Sequence, residues 1–240
     1  MSNESSNQPI TLALELSQQT GSVAICDSCG TIVERPVESG RREEDDVMPS
    51  IESIAGELHV SPRNISRVVI SIGPGGFTGL RSSVAIAKMV ALVSGAKIIP
   101  IDSALSIVAN ANAGFGKYLV VSAVKQESFW LSTVCVNNED ITCSASLSNA
   151  KVLSPELEEV CAIFGDAYLP KSVVAIADDA NVEIKEPKTS AKVLLKLGLR
   201  MYKENKIPAI DPLALLPLYP REPEAVRVWN LNHEKAKTDN

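Results

Sequence analysis

The stretch Ser71-Ile72-Gly73-Pro74-Gly75-Gly76-Phe77-Thr78-Gly79-Leu80-Arg81 constrains this chain more than any other. Val68-Val69-Ile70 before it is a β-branched run, the mark of a buried strand. Four glycines and one proline follow. Glycine admits positive φ and close backbone approach, and proline sets its own φ, so the chain leaves the strand through a sharp, rigid turn. Thr78 is placed to cap a helix running to about Ser94. On that helix Gly79, Ser83, Ala87 and Ala91 recur every fourth position as a stripe of small side chains. Leu80, Val84, Ile86, Met89, Val90 and Val93 cover most of the rest, and only Arg81 and Lys88 carry charge. A helix apolar almost all round must be buried almost all round. Two arrangements satisfy this. Either the helix is enclosed by its own domain, or one face lies on a sheet and the small-residue face meets a partner helix.

The totals narrow the function classes. With 240 residues and 45% hydrophobic side chains, the chain can build one large domain or two small ones around a mainly aliphatic core. A formal charge of -6 argues against a large basic surface for nucleic acid. Met1 to Gln8 lacks the basic and apolar regions of a secretory signal, and no apolar run reaches the ~20 residues of a bilayer span. The five cysteines are an odd number in a large chain, which fits a reducing cytoplasm, the expected location.

In chain order, residues 10–16, 22–26 and 31–37 read as three strands joined by tight turns, an antiparallel meander. Cys26-Asp27-Ser28-Cys29 has redox or zinc spacing but closes a hairpin and has no second pair, so it reads as a structural turn. After the acidic run Glu43-Glu44-Asp45-Asp46, a helix presents Val47, Ile51, Ile54 and Leu58 on one face. Beyond the central turn and helix, 96–101 is a strand, and Asp102 or Ser103 caps a helix to about Ala111. Asn112 to Gly116 is the candidate domain boundary, and the pattern then restarts. Strands are expected at 118–124, 128–136, 141–147, 161–165 and 173–176, with Ser154-Pro155 opening a short helix. A helix over 189–205 and a proline-broken apolar strap from Asp211 to Tyr219 follow. Two rounds of meander and alternating helix and strand predict a duplicated α/β unit.

Catalytic machinery is hard to assemble from this chain. His59 and His233 are its two histidines, and neither adjoins a nucleophile elbow or completes a ligand cluster. The turn at Gly73, Gly75 and Gly76 is a candidate anion-binding site, because a helix N-terminus offers free N–H groups; a purely structural turn fits equally. It is not a Walker A loop, since no Lys-Ser or Lys-Thr follows, nor the dinucleotide fingerprint, whose glycine spacing differs.

Gly73-Pro74-Gly75-Gly76-Phe77-Thr78-Gly79-Leu80-Arg81 resembles the signature Gly-Pro-Gly-Ser-Phe-Thr-Gly-Leu/Val-Arg of the bacterial TsaB (YeaZ) family. Ala87-Lys88 and Ala91-Leu92 extend the likeness into the helix. Leu12 to Ser17 and Ser22 to Ile25 resemble the family's opening hairpin, and Asp211 to Ala214 and Pro217 to Arg221 its C-terminal signature. The likeness covers about residues 10 to 225.

The resemblance implies a two-lobed α/β fold of the actin, Hsp70 and sugar-kinase superfamily, ribonuclease H-like, with a duplicated mixed sheet. It sets a tail at 1–9, an N-terminal lobe at 10–112, a C-terminal lobe at 113–225 and a charged tail at 226–240. The helix at 189–205 is in reach of the N-terminal lobe. Members pair with TsaD, which threonylcarbamoylates the adenosine beside the anticodon of tRNAs reading A-starting codons, and they work with TsaC and TsaE. The implied role is therefore a non-catalytic partner or scaffold. ATP and metal are expected on TsaD and no cofactor on this chain; tRNA is reached through the complex, with no membrane involved. A homodimer is expected when TsaD is absent. The implied pairing residues are Val47, Ile51, Ile54, Thr78, Gly79, Arg81, Ser82, Ser83, Ile86, Ala87 and Val90. A charge at Ser83 or Ala87 is accordingly expected to block pairing and leave the lobes folded. Ser103 and Ile107 stand where TsaD carries its metal-binding histidines, and Glu15 replaces the aspartate of the first phosphate hairpin. Glu44-Asp45 or a neighbouring pair stands where the family usually has His-Ser, and Ala123-Val124-Lys125 where it often has Asp-Ala-Arg. A metallopeptidase and a sugar-kinase-like phosphotransferase are the alternatives within the superfamily.

Overall fold

The computed structural model describes residues 8–38, 46–138, 140–219 and 229. The acidic run at 43–45 and most of the charged tail thus lie outside the described residues.

The first half begins with a meander, β1 (Thr11–Glu15), β2 (Thr20–Cys26) and β3 (Ile32–Glu38). Helix α1 (Val47–Glu57) leads to β4 (Arg67–Gly73), helix α2 (Phe77–Ser94), β5 (Lys97–Asp102) and helix α3 (Ser103–Asn110). β4 pairs parallel to β1 and β5 parallel to β4, giving the sheet order β3-β2-β1-β4-β5. The second half repeats the plan. β6 (Gly116–Lys125), β7 (Ser128–Val136) and β8 (Ile141–Asn149) form a meander. Then come α4 (Ala150–Glu156), β9 (Val160–Phe164), α5 (Lys171–Asp179), β10 (Ile184–Lys185) and α6 (Ala191–Lys203). Read from the other end, the second sheet, β10-β9-β6-β7-β8, has the strand order of the first. The duplication expected from the pattern is therefore present strand by strand and helix by helix.

Strand alternation explains the layering. Leu12, Leu14, Val23, Ile25, Val68, Ile70 and Ile98 point to one face of the first sheet and pack under α1 and α2. Ala13, Ala24, Val69 and Ile99 point to the other, onto α3 and α6. Helix α3 also meets the second sheet at β7 and β8, and Tyr118, Val120, Val134, Ala162 and Phe164 of that sheet belong to the same buried cluster. The far face of the second sheet, with Leu119, Val121, Phe129 and Ile163, carries the buried residues Leu153 of α4 and Val173 and Ala177 of α5. The order is helices, sheet, shared helices, sheet, helices. Helix α6 comes late in the chain yet lies on the first sheet. Ser190 Oγ donates to Glu34 of β3, Ser22 Oγ accepts from Ala191 N at 2.7 Å, and Glu34 Oε1 accepts from Lys192 N at 3.2 Å. A carboxylate at a helix N-terminus is favourable for both charge and hydrogen bonding.

Several local expectations are corrected. Residues 173–176 are not a strand but lie within α5, whose buried Val173 and Ala177 are one helical turn apart. A short apolar run does not by itself distinguish the two periods. Ser154-Pro155 does not open α4; Asn149 Oδ1 accepts from Lys151 N at 3.0 Å, so the helix starts at Ala150 and Pro155 falls in its last turn. Gly76, not Thr78, is the N-cap of α2, with no side-chain bond. Of the two candidates at α3, Asp102 is the cap, accepting from Ala104 N at 2.8 Å. The Cys26–Cys29 turn is held by Asp27 Oδ1, which accepts from Cys29 N and Thr31 N, each at 2.8 Å.

Candidate functional site

The glycine turn is a joint between the first hairpin and α2. Gly76 N donates to Ser17 O at 2.8 Å, and a side chain on Gly75 would meet that oxygen at 2.2 Å. Gly73 takes φ +109, a region that favours glycine. The C-terminal strap closes the joint from outside: Leu218 N donates to Ile72 O at 2.7 Å. Arg81 lies 3.8 Å over the Phe77 ring and donates through Nε to Tyr219 Oη at 3.0 Å. Of the candidate anion-binding glycines, Gly76 therefore directs its N–H to protein. The turn is built to place α2.

Beneath the joint lies a buried polar cluster where β1, β4 and β5 end. Glu15 is fully buried. Its Oε1 accepts from Ser17 N at 3.1 Å and Ser17 Oγ at 2.6 Å, and its Oε2 accepts from Ser106 Oγ at 2.6 Å. Ser71 and Ser103 share a hydrogen bond of 2.7 Å beside it. Burial pushes the Glu15 carboxyl above its ordinary value, and the hydrogen bonds from Ser106 and Ser17 oppose that. Removing the carboxyl orphans buried hydroxyls and leaves a void. Glu15→Ala is expected to cost about 2–3 kcal/mol in denaturant unfolding, and Glu15→Gln markedly less.

Asp102, at the end of β5, is pushed up to about 6 by burial, against 3.8 ordinarily, with the Ala104 N–H pulling the other way. The folded state therefore holds the proton more tightly than the unfolded one. That contribution is complete below about pH 3.8 and is lost as pH rises through 6. Over that window the unfolding free energy of the native protein is expected to fall relative to Asp102→Asn, which keeps the cap, by on the order of 2 kcal/mol after solvent screening. Parallel pH profiles for the two proteins would refute it.

A nucleotide or metal fits this donor set poorly. Among the described residues no three His, Cys, Asp or Glu side chains group as metal ligands. Ser103 is bonded to Ser71, Ile107 is buried and apolar, and the Glu15 carboxylate accepts from Ser17 and Ser106. On the facing sheet Ser122 Oγ and Trp130 Nε1 are buried without a protein hydrogen-bond partner, the kind of group that ordered water satisfies. Burial pushes the Cys143 thiol up to about 12 and raises that of Cys26, so neither is an activated nucleophile.

The implied pairing residues divide in two. Val47, Ile51 and Ile54 of α1, and Gly79, Ser83 and Ala87 of α2, are buried in this chain's own core. The small-residue stripe faces the sheet, not a partner: small side chains let α2 lie close over β4, which the four-residue spacing alone did not assign to a side. Thr78 and Arg81 are exposed, and Ser82, Ile86 and Val90 half-buried. The outward face also holds side chains the sequence reading left out. Leu92 and Val93 are each 67% exposed, Phe77 54% and Met89 48%. Their signal was present as apolar residues at positions opposite the small stripe. At 18 residues and a mean hydropathy of 1.3, α2 is long and apolar enough to cross a membrane by those measures alone, but it is packed along one side on the sheet.

Residues 22–205 match the family model described as TsaD, tRNA N6-adenosine threonylcarbamoyltransferase. The chain is 27% identical over 99 residues to the tRNA threonylcarbamoyladenosine biosynthesis protein TsaB of Bacillus subtilis, a match spanning 41% of this chain and 43% of that protein. A Pseudomonas aeruginosa protein with similarity to peptidase YeaZ shares the fold with a TM-score of 0.70 at 15% identity, over 89% of this chain and all of that one. YeaZ from Pseudomonas aeruginosa gives 0.68 at 13%, over 88% of this chain and all of that one. With most of its length matched, the chain belongs to the TsaD family, and within it is similar to TsaB (YeaZ).

Proposed function

We propose that this chain is a non-catalytic partner of TsaD in cytoplasmic tRNA threonylcarbamoyladenosine biosynthesis, holding TsaD in its working form. The observation that carries this is the exposed apolar face of α2. The duplication supplies an internal comparison, because α5 occupies the corresponding place in the second half. Outward from its sheet α5 presents Lys171, Asp178 and Asp179, and its one large exposed apolar side chain is Val174 at 37%. Helix α2 presents Phe77, Met89, Leu92 and Val93 instead. Large apolar side chains gathered on one exposed helix face, as Met89, Leu92 and Val93 are, mark a protein interface. The buried serine and glutamate cluster supports leaving ATP and metal to TsaD, and an acidic chain is suited to reaching tRNA through the complex. TsaC and TsaE are functionally linked through TsaD, and without TsaD the same face pairs two copies.

Co-purification with the TsaD of the same organism, followed by a tRNA modification assay with and without this chain, tests the reading. A stable complex and modification dependent on both proteins are expected. Modification at full rate by TsaD, TsaC and TsaE without this chain would overturn it.

A further inference from the structure

Each sheet has two edges, and three of the four are guarded. β3 carries Glu34, Arg35 and Pro36 along seven residues. β5 is bridged by the strap, where Ile210 N donates to Ile98 O at 2.9 Å. β10 is two residues long. Charge, proline, cover and brevity are the devices by which sheets avoid adding strands. Among the described residues β8 has none of them. Its nine residues, Ile-Thr-Cys-Ser-Ala-Ser-Leu-Ser-Asn, include no charge and no proline. It stays in register with β7 from Val136↔Ile141 to Ser128↔Asn149 without a bulge. Among the described residues no strand pairs with its outer side. Ser144, Ala145, Ser146 and Leu147 are all exposed, so at its middle the strand stands clear on both faces of the sheet. The duplicated counterpart of β8 is β3, and the guards present on one are missing from the other.

We infer that β8 is a self-association edge at which a second copy of this chain adds its own β8 antiparallel. A foreign strand would be selected by charges or pockets, and serine and alanine at the edge supply neither. Identical strands define a register by themselves. A two-fold axis through Ala145 sets Ser144 against Ser146 and Cys143 against Leu147 of the other copy, pairing polar with polar and apolar with apolar. One strand edge buries less than the ~1,200 Å² of a stable interface, so the dimer is weak, with a dissociation constant on the order of 10–100 µM. Both copies carry net charge -6, so association strengthens as salt screens their repulsion. The inference holds whether or not the α2 face binds TsaD.

The test is sedimentation velocity on the full chain bearing Leu92→Glu, which removes pairing through α2, across protein and salt concentrations. Self-association is expected in this background. Ser144→Lys with Ser146→Lys sets lysine against lysine twice across the axis and is expected to weaken association at least about tenfold. Ser144→Lys with Ser146→Glu sets lysine against glutamate twice and is expected to restore it. Amide hydrogen exchange across residues 144–147 of the unsubstituted edge is expected to slow as protein concentration rises. A monomer at every concentration, equal behaviour of the two charge pairs, or exchange independent of concentration overturns the inference. So does pairing of the edge only with an extended segment of another protein.

Discussion

Met89→Asp combined with Leu92→Glu is expected to abolish capture of TsaD and leave this chain folded. Both side chains point away from the sheet, and neither belongs to the clusters of buried residues that hold the first lobe. Exposed substitutions of that kind change stability by about 0.5 kcal/mol or less, so the melting temperature should hardly move. At a packed interface the same two carboxylates lose water and meet apolar neighbours. Unpaired charges there cost several kcal/mol, which corresponds to at least about a hundredfold loss of affinity. Titration of TsaD with the variant, with circular dichroism beside it, separates the two effects. Ser83→Asp and Ala87→Asp give the opposite pattern. Both positions are fully buried against the sheet, so these variants are expected to unfold the first lobe outright. That reverses the expectation drawn from the small-residue stripe. Undiminished capture by the Met89 and Leu92 variant would refute docking through α2.

Most of the architecture was legible in the residues. The β-branched run 68–70, the glycine turn and the apolar helix were read in the right order, as were both meanders. What could not be read was direction. A helix apolar on nearly every side has no periodic signal saying which side is the core, so Gly79, Ser83 and Ala87 were assigned outward when they lie inward. The corrections at α4 and α5 have a similar origin. Asn149 starts α4 by capping it, a contact more local than the proline that drew the prediction. Val173 to Ile176 is too short to show either period. The polar cluster was only partly visible, since Glu15, Ser71 and Ser106 lie far apart in sequence and meet only because β1, β4 and α3 converge. The openness of β8 was hidden for another reason: an edge is a property of sheet order, and nothing local marks which strand comes last.

Gly198→Leu is expected to destabilise both lobes together. Gly198 sits in α6, in the layer shared by the two sheets. A Cβ built there would lie 2.4 Å from Val69 Cγ1 and 3.3 Å from its Cγ2. Val69 has no room to retreat. It is fully buried in β4, a central strand whose opposite face is packed under α2. The helix must therefore move away from the sheet, opening contacts along β1, β2 and β4 and with α3. Overpacking of one or two methylenes already costs about 1–3 kcal/mol, and a whole leucine at a backbone-close contact should exceed about 4 kcal/mol. Gly198→Ala meets the same clash but gains about 1 kcal/mol of helix propensity, so its net loss is smaller. Gly56 of α1 is the control, because a Cβ there meets nothing within 4 Å. Gly56→Ala is expected to stabilise by about 0.5–1 kcal/mol. Denaturant unfolding is followed by circular dichroism, which reads the whole chain, and in a Trp229→Phe background by fluorescence of Trp130 in β7, which reads the second lobe. A shared middle layer requires the two signals to shift together in Gly198→Leu. A shift confined to one of them would mean that α6 belongs to the first lobe alone.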